Sequence, residues 1–399
     1  MKKNTVKKPN ELHTPESYSP KKPKILSLLG DTNSMTFFEK IGKLPRSSGE
    51  PPKSSKIPGI HRLYYADKGE NFMFDGCVRG VLEALGEPKE YDYNLVMALC
   101  GDMFTQMYKK DSEADCLTDN CFIPEIAAHA FKVCGYESVF ITKDEIDRYP
   151  HEVMTAIKQS VLRDIPVISM GIANIPVTVE DGTKIWNGTY PVTGGSVKNV
   201  PFASMIGGYD EDKILVNVWI EEADTDENGY ATTQNALDSS QGLIFIGEKA
   251  NRKSLSDVYQ DIIYSIPAYL TLRPMNGYTF AKDAFYEWAN NIKSGDILKA
   301  PDKWNMHFAP AVILYTNTGR ARSFINRIIT ACPDFELAKK LQPLYEKAGK
   351  YNNELDRIQG GFEFNVERFA ENEFNKKVTD VLYRLGDLQE EILKVFSEE

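Results

Sequence analysis

The stretch Asn71–Gly86, NFMFDGCVRGVLEALG, decides how the rest of the chain is interpreted. Its apolar residues recur at spacings of three and four, which predicts a helix that begins at Cys77 and buries one face. Asp75 is the predicted N-cap, and Gly86, followed by Pro88, is the predicted stop. Cys77 would then lie in the first turn, where the helix dipole favours a thiolate.

Two interpretations of Cys77 follow from this stretch. A thiolate at a helix N-terminus is the placement that a nucleophilic cysteine requires. Free cysteine is also among the residues most often buried in protein cores, where it acts as a small hydrophobe. The stretch alone leaves both interpretations open.

Composition places the chain among ordinary globular proteins. With 399 residues it is longer than one core usually supports, so we expect two domains. A net charge of −10 argues against broad nucleic-acid binding. The apolar runs fall short of the roughly 20 residues of a membrane span. The cysteines are scattered and the start, MKKNTVKK, lacks the apolar core of a signal peptide, so a reduced cytoplasmic setting is expected.

Residues 1–60 are predicted to be a flexible basic arm and linker. Residues 1–24 carry seven lysines and two glutamates, which is typical of a solvated tail, with RNA or an acidic partner as the alternative. Residues 25–60 are rich in proline and serine and contain one short amphipathic piece at Met35–Ile41. We interpret them as a linker or a wrapping segment.

The remaining chain predicts an α+β fold in two domains. Residues 61–250 begin with helices and continue with strands such as PVISMG and GLIFIG. From about Arg252 the apolar period stays helical, so residues 251–399 are predicted to form an all-α domain. Its last helix, 362–397, carries a heptad seam of under three repeats. Such a short seam favours packing within its own domain over a dimeric coiled coil.

No metal or cofactor site is predicted. Cys116 and Cys121 flank an acidic loop, but no second cysteine or histidine pair completes a zinc set. The segment DTDENG at Asp224–Gly229 imitates half of a calcium loop, whose twelfth position would be Asn235 instead of glutamate. A polar hairpin loop is expected there.

Several motifs resemble the papain-like cysteine proteins. They are FDGCVRGVLEALGE, PVISMG, FASMIGGYDEDKILVNVW and GLIFIGEK, in that order. Within this group, residues 61–248 are most similar to the bacteriocin leader-processing peptidases and the butirosin-biosynthesis acyltransferase type. Residues 61–399, with HFAPAVILYTNTGRARSFI, resemble bacterial proteins that add a helical domain to this fold.

The resemblance implies a set of catalytic positions. Cys77 matches the nucleophile, Asn71 lies at the oxyanion position six residues earlier, and Asn217 lies close to the orienting position. The position of the catalytic histidine is occupied by Phe202. His307, early in an apolar helix of the second domain, could supply the base from an interdomain cleft, or could be an ordinary interior histidine.

Two hypotheses for function follow. In the first, Cys77 performs acyl transfer or amide hydrolysis on a small molecule or peptide at the interdomain cleft. In the second, the chain is a catalytically inactive papain-like scaffold that binds a small ligand, a peptide or a partner protein. A cysteine without a local base loses about 10²–10⁴ in rate, which favours the second, whereas the placement of Cys77 at a helix N-terminus favours the first. The sequence does not indicate an oligomeric state.

Overall fold

A computed structural model describes most of the chain. The described residues are 35–58, 73–104, 106–108, 124–171, 176–178, 182, 184–186, 189–192, 195–198, 203–217, 224–233, 236–250, 253–274, 278–299, 320–359 and 366–397. They form two compact units. The sheet unit is drawn from residues within 29–100 and 119–252, and the helical unit from residues within 101–118 and 253–399.

The helices and strands are numbered in chain order through both units. The helices are α1 Phe37–Gly42, α2 Met73–Ala84, α3 Tyr93–Leu99, α4 Pro124–Val133, α5 Lys143–Arg148, α6 Pro150–Val161, α7 Ala236–Ser239, α8 Leu255–Leu270, α9 Ala281–Ser294, α10 320–331, α11 Glu336–Gln359 and α12 Asn372–Ser397. The strands are β1 Ser54–Lys56, β2 Met107–Tyr108, β3 Tyr136–Thr142, β4 Val167–Gly171, β5 Pro176–Thr178, β6 Lys184–Trp186, β7 Thr189–Val192, β8 Gly195–Lys198, β9 Ala203–Asp210, β10 Lys213–Asn217, β11 Tyr230–Thr232, β12 Ser240–Lys249 and β13 Thr279–Phe280. Short 3₁₀ helices span Asp296–Lys299 and Val366–Ala370.

The sheet unit is built on one antiparallel sheet. Its order is β11-β10-β9-β4-β12-β3, and β1 also pairs with β9. Strand β9 reverses into β10 through a tight turn in which Glu211 adopts a φ of 55°. Two hairpins, β5–β6 and β7–β8, occupy the predicted excursion at 172–200. The combination of helices with an antiparallel sheet confirms the predicted α+β class.

The described part of the N-terminal segment, 35–58, belongs to the sheet unit. Lys40 of α1 donates to both carboxylate oxygens of Glu145 at 2.8 Å. Further along, the backbone N–H of Ser47 donates to Gln159 of α6, and β1 adds a strand to β9. The segment that the sequence leaves as a linker or a wrapping segment is therefore folded against the sheet over these residues.

Helix α8 of the helical unit is buried over most of its length. Twelve of the sixteen residues of this helix are buried, which is typical of a helix enclosed on every side. The short strand β2 pairs with β13, so residues 107–108 are tied to the start of α9. No helix in the described parts of the chain is both long and apolar enough to cross a lipid bilayer.

Helix α12 uses its heptad seam within the helical unit. Val378, Val381, Leu382 and Leu385 are buried in a core shared with α9, and α12 also packs on α11. The approach to α9 is so close that a Cβ on Gly386 would lie 2.7 Å from the ring of Tyr286. The predicted packing of this seam within its own domain is confirmed.

We predict that Lys40→Met destabilises the protein by about 1–3 kcal/mol, measured by urea unfolding. The substitution leaves the carboxylate of Glu145, whose side chain is only 18% exposed, without its ammonium partner.

The matched control is Lys143→Met on α5. It removes the more exposed ion pair between Lys143 and Asp147, for which we expect at most about 0.5 kcal/mol. Equal effects of the two substitutions would mean that the contact of α1 adds nothing to the stability of the sheet unit.

Candidate functional site

The helix that carries Cys77 begins earlier than the sequence predicts. It starts at Met73, so Asp75 lies inside its first turn and is not the N-cap, and Cys77 is its fifth residue. The predicted stop is confirmed, because Gly86 adopts a φ of 79° and the N–H of Glu87 donates to Leu82 O. Cys77 therefore lies about one turn further from the helix N-terminus than the prediction placed it.

The Cys77 side chain is fully buried. Cys77 is 0% exposed, as are its neighbours Phe74 and Val78 on the same helix. Helix α2 packs against β9, β4 and α3. Asp75, which lies two residues before Cys77 on the same helix, is also completely buried. A reagent or substrate would therefore have to displace packed structure to reach this sulfur.

Asn217 lies on the strand next to the one that supports the cysteine helix. It is the last residue of β10, is fully buried, and faces Met205 of β9 in the strand register. Cys77 and Asn217 are thus connected through β9, on which α2 packs. The other two predicted catalytic residues, Asn71 and His307, and the histidine position at Phe202, lie outside the described residues.

One histidine was placed wrongly by its helical pattern. The helical pattern of the sequence predicts that His129 and His151 both lie on the surface, but His129 is only 2% exposed. Helix α4 packs against α3 on one side and against β3 and β12 on another, so it has more than one buried face. His151, in the first turn of α6, is exposed as predicted.

Comparisons with protein families and with curated proteins found no match. The chain matches no protein-family model, and no curated protein is similar to it.

Among the described residues, no group of three or more His, Cys, Asp or Glu side chains is placed to hold a metal ion.

The sheet unit also contains an open cavity of about 710 Å³, which we call the edge cavity. It is of the size that small-molecule sites usually have. It lies at the end of the sheet where β1, β9, β10 and β11 run side by side. Its lining residues are Ser54, Ser55, Lys56, Tyr209, Asp210, Leu215, Asp224, Asp226, Tyr230 and Thr232.

Two glycines lie next to the edge cavity on β9. The register between β9 and β10 shifts so that Gly207 is an extra residue, a β-bulge, and Gly208 faces Leu215. A Cβ on Gly207 would lie 2.5 Å from the Tyr230 hydroxyl, and a Cβ on Gly208 would lie 2.9 Å from Ser55 O. Side chains at these two positions would collide with the residues that line the cavity.

Lys56 and Asp226 form an ion pair at the edge cavity. The Lys56 Nζ donates to Asp226 Oδ2 at 2.6 Å. The other carboxylate oxygen accepts the backbone N–H groups of Asn228 and Tyr230. Partial burial opposes ionisation of Asp226, but these hydrogen bonds outweigh it and hold the pKa of the carboxyl below its ordinary value. Asp226 is therefore anionic at neutral pH.

The residues that line the edge cavity come from separate segments of the sequence. The sequence does not indicate that these segments lie side by side in the fold. The segment with Asp224 and Asp226 is predicted to be a polar hairpin loop that imitates half of a calcium loop, and Lys56 belongs to the proline-rich segment. The one available indication is the glycine pair in MIGGYD, since two adjacent glycines in a strand suggest a bulge or a close approach.

We predict that Cys77→Ser lowers the free energy of unfolding by about 1–3 kcal/mol. The substitution replaces a weakly polar thiol by a more polar hydroxyl at a position that is 0% exposed, and burial of a more polar group costs free energy of about this size. Urea unfolding measures the change.

The matched control is Cys332→Ser in the helical unit. Cys332 Sγ already lies 3.2 Å from the hydroxyl of Ser256, so a serine there has a hydrogen-bond partner. We expect the smaller loss at Cys332, and a larger loss at Cys332 than at Cys77 would contradict the enclosed environment of Cys77.

Proposed function

We propose that the chain is a papain-like scaffold that binds a small molecule or a peptide and does not use Cys77 as a nucleophile. The observation that carries the proposal is the complete burial of Cys77 on α2, a helix that packs against α3, β4 and β9. A catalytic thiol must reach the carbonyl that it attacks, to within about 3–3.5 Å. A thiol enclosed by packed side chains does not meet this requirement.

The chemistry around Cys77 supports the same proposal. The position that would carry the proton-accepting histidine holds Phe202. A thiolate in a fully buried site is disfavoured, because burial raises the free energy of the charged form. Loss of the base and loss of access act in the same direction, so we assign to Cys77 a role in packing.

Once Cys77 is assigned to packing, the edge cavity is the feature that supports ligand binding. It is concave, mixes charged and apolar side chains, and is lined by residues of four strands together with Asp224 and Asp226, which lie just before β11. Sites built on strands hold their side chains more rigidly than sites on loops. We place the ligand of the scaffold in this cavity.

A second function is favoured by one observation. Helix α2 packs on β9, and β10 with Asn217 pairs with β9, which is the neighbourhood that a papain-like thiol and its orienting amide require. The alternative is therefore acyl transfer or amide hydrolysis through Cys77, with Asn71, Asn217 and His307 as its other candidates.

Alkylation of Cys77 distinguishes the two functions. We expect iodoacetamide to modify Cys77 at least about 1000-fold more slowly in the native protein than in the urea-unfolded chain, since reaction requires opening of the sheet unit. Peptide mass spectrometry at neutral pH, with the Cys77 peptide followed over time, gives both rates.

The unfolded chain serves as the control for the intrinsic reactivity of the same peptide. Native labelling that is fast well below pH 8.5, the ordinary cysteine pKa, would contradict the scaffold and support the thiol enzyme.

A further inference from the structure

We infer that the edge cavity binds an alkylammonium group, carried either by a free amine or by a lysine side chain of a peptide. This inference rests on the proposed function, in which the edge cavity is the ligand site. It adds the chemical class of the ligand, which follows from the charges and the shape of the cavity.

The charges lining the edge cavity are predominantly negative. Among the described residues, three carboxylates, Asp210, Asp224 and Asp226, line it together with a single ammonium, that of Lys56. Lys56 is engaged with Asp226, and Asp224 accepts the hydroxyl of Thr178 at 2.8 Å. The lining therefore carries a net charge of −2, which favours a cation over an anion.

Asp210 is the carboxylate best placed for a ligand. It is the exposed last residue of β9, and it forms no ion pair within the described residues. The nearest cation by register is Lys213, which faces it across the β9–β10 turn without forming an ion pair. Asp210 and Asp226 thus offer two carboxylates at one cavity, and only Asp226 has an ammonium partner among the described residues.

The shape of the cavity suits an alkyl chain with a charged end. At the β-bulge, Tyr230 packs closely over Gly207 and Leu215 over Gly208, and these two side chains supply apolar surface to the cavity. Tyr230 is fixed in place because its hydroxyl donates to Ile57 O at 3.1 Å. A methylene chain can lie along this surface with its ammonium among the carboxylates.

Three probes of equal length and different charge test the inference. They are 1,5-diaminopentane, 1,5-pentanediol and glutarate, titrated into the full chain at low ionic strength. Calorimetry gives the affinity, and amide chemical shifts of Gly207 and Gly208 locate the binding. We expect the diamine to bind most tightly, the diol weakly and glutarate least. N-acetyl-lysine N′-methylamide distinguishes the two sources, because tighter binding than the diamine indicates a peptide side chain.

Two substitutions should change the diamine affinity in opposite directions. Asp226→Asn keeps the oxygen that accepts from Asn228 and Tyr230 but removes one negative charge, so we expect affinity to fall about three- to tenfold. Lys56→Met removes the positive charge, so we expect affinity to rise by a similar factor. A change of this size is expected from the interaction between two unit charges roughly 6 Å apart in a solvent-exposed site.

The control is Asp380→Asn, the same chemical change at an exposed position of α12 in the helical unit. It should leave all affinities unchanged, and thermal melts confirm folding of each variant.

If the diol or glutarate binds as tightly as the diamine, the alkylammonium inference is overturned and the binding function stands. If no probe binds at a concentration of about 10 mM, the proposal that the edge cavity is the ligand site is overturned as well. Dissociation constants above this concentration are too weak to be useful.

Discussion

The pairing of β9 with three other strands is the constraint on which the sheet unit depends. Its first half pairs with β4, its last three residues pair with β1, and β10 runs along its opposite edge. The change of partner from β4 to β1 occurs at Gly207–Gly208. Because neighbouring groups lie 2.5–2.9 Å from where a Cβ would be, only glycine fits there without displacing a neighbour. The same strand supports the cysteine helix and forms the floor of the edge cavity.

The cysteine helix illustrates how a favourable local pattern can carry a different role in the folded protein. A cysteine near a helix N-terminus gains from the helix dipole only within the first turn. With the helix starting at Met73, Cys77 lies beyond that turn, and packing on β9 removes it from solvent. The helix dipole therefore gives little support to a thiolate at this position.

The edge cavity combines segments that are distant in the chain. Lys56 reaches Asp226 across 170 residues, and Tyr230 reaches Ile57 across 173. Each contact is modest by itself, since an exposed ion pair contributes about 0–1 kcal/mol. Together they hold β1 beside β9 and define the walls of the cavity. The N-terminal segment thus contributes to the proposed ligand site as well as to the stability of the sheet unit.

The sequence by itself determined the elements whose cause is local. The stop at Gly86, the strand SVFIT, the turn GYDED and the seam of α12 follow from glycine geometry and apolar periodicity, so they could be predicted. Tertiary structure decided the features that the periodicity of the sequence does not encode. His129 is buried because its helix is covered on two faces, and Cys77 is enclosed because α2 packs on β9. Lys56 and Asp226 meet because β1 pairs with β9, a pairing that depends on contacts between residues far apart in the chain.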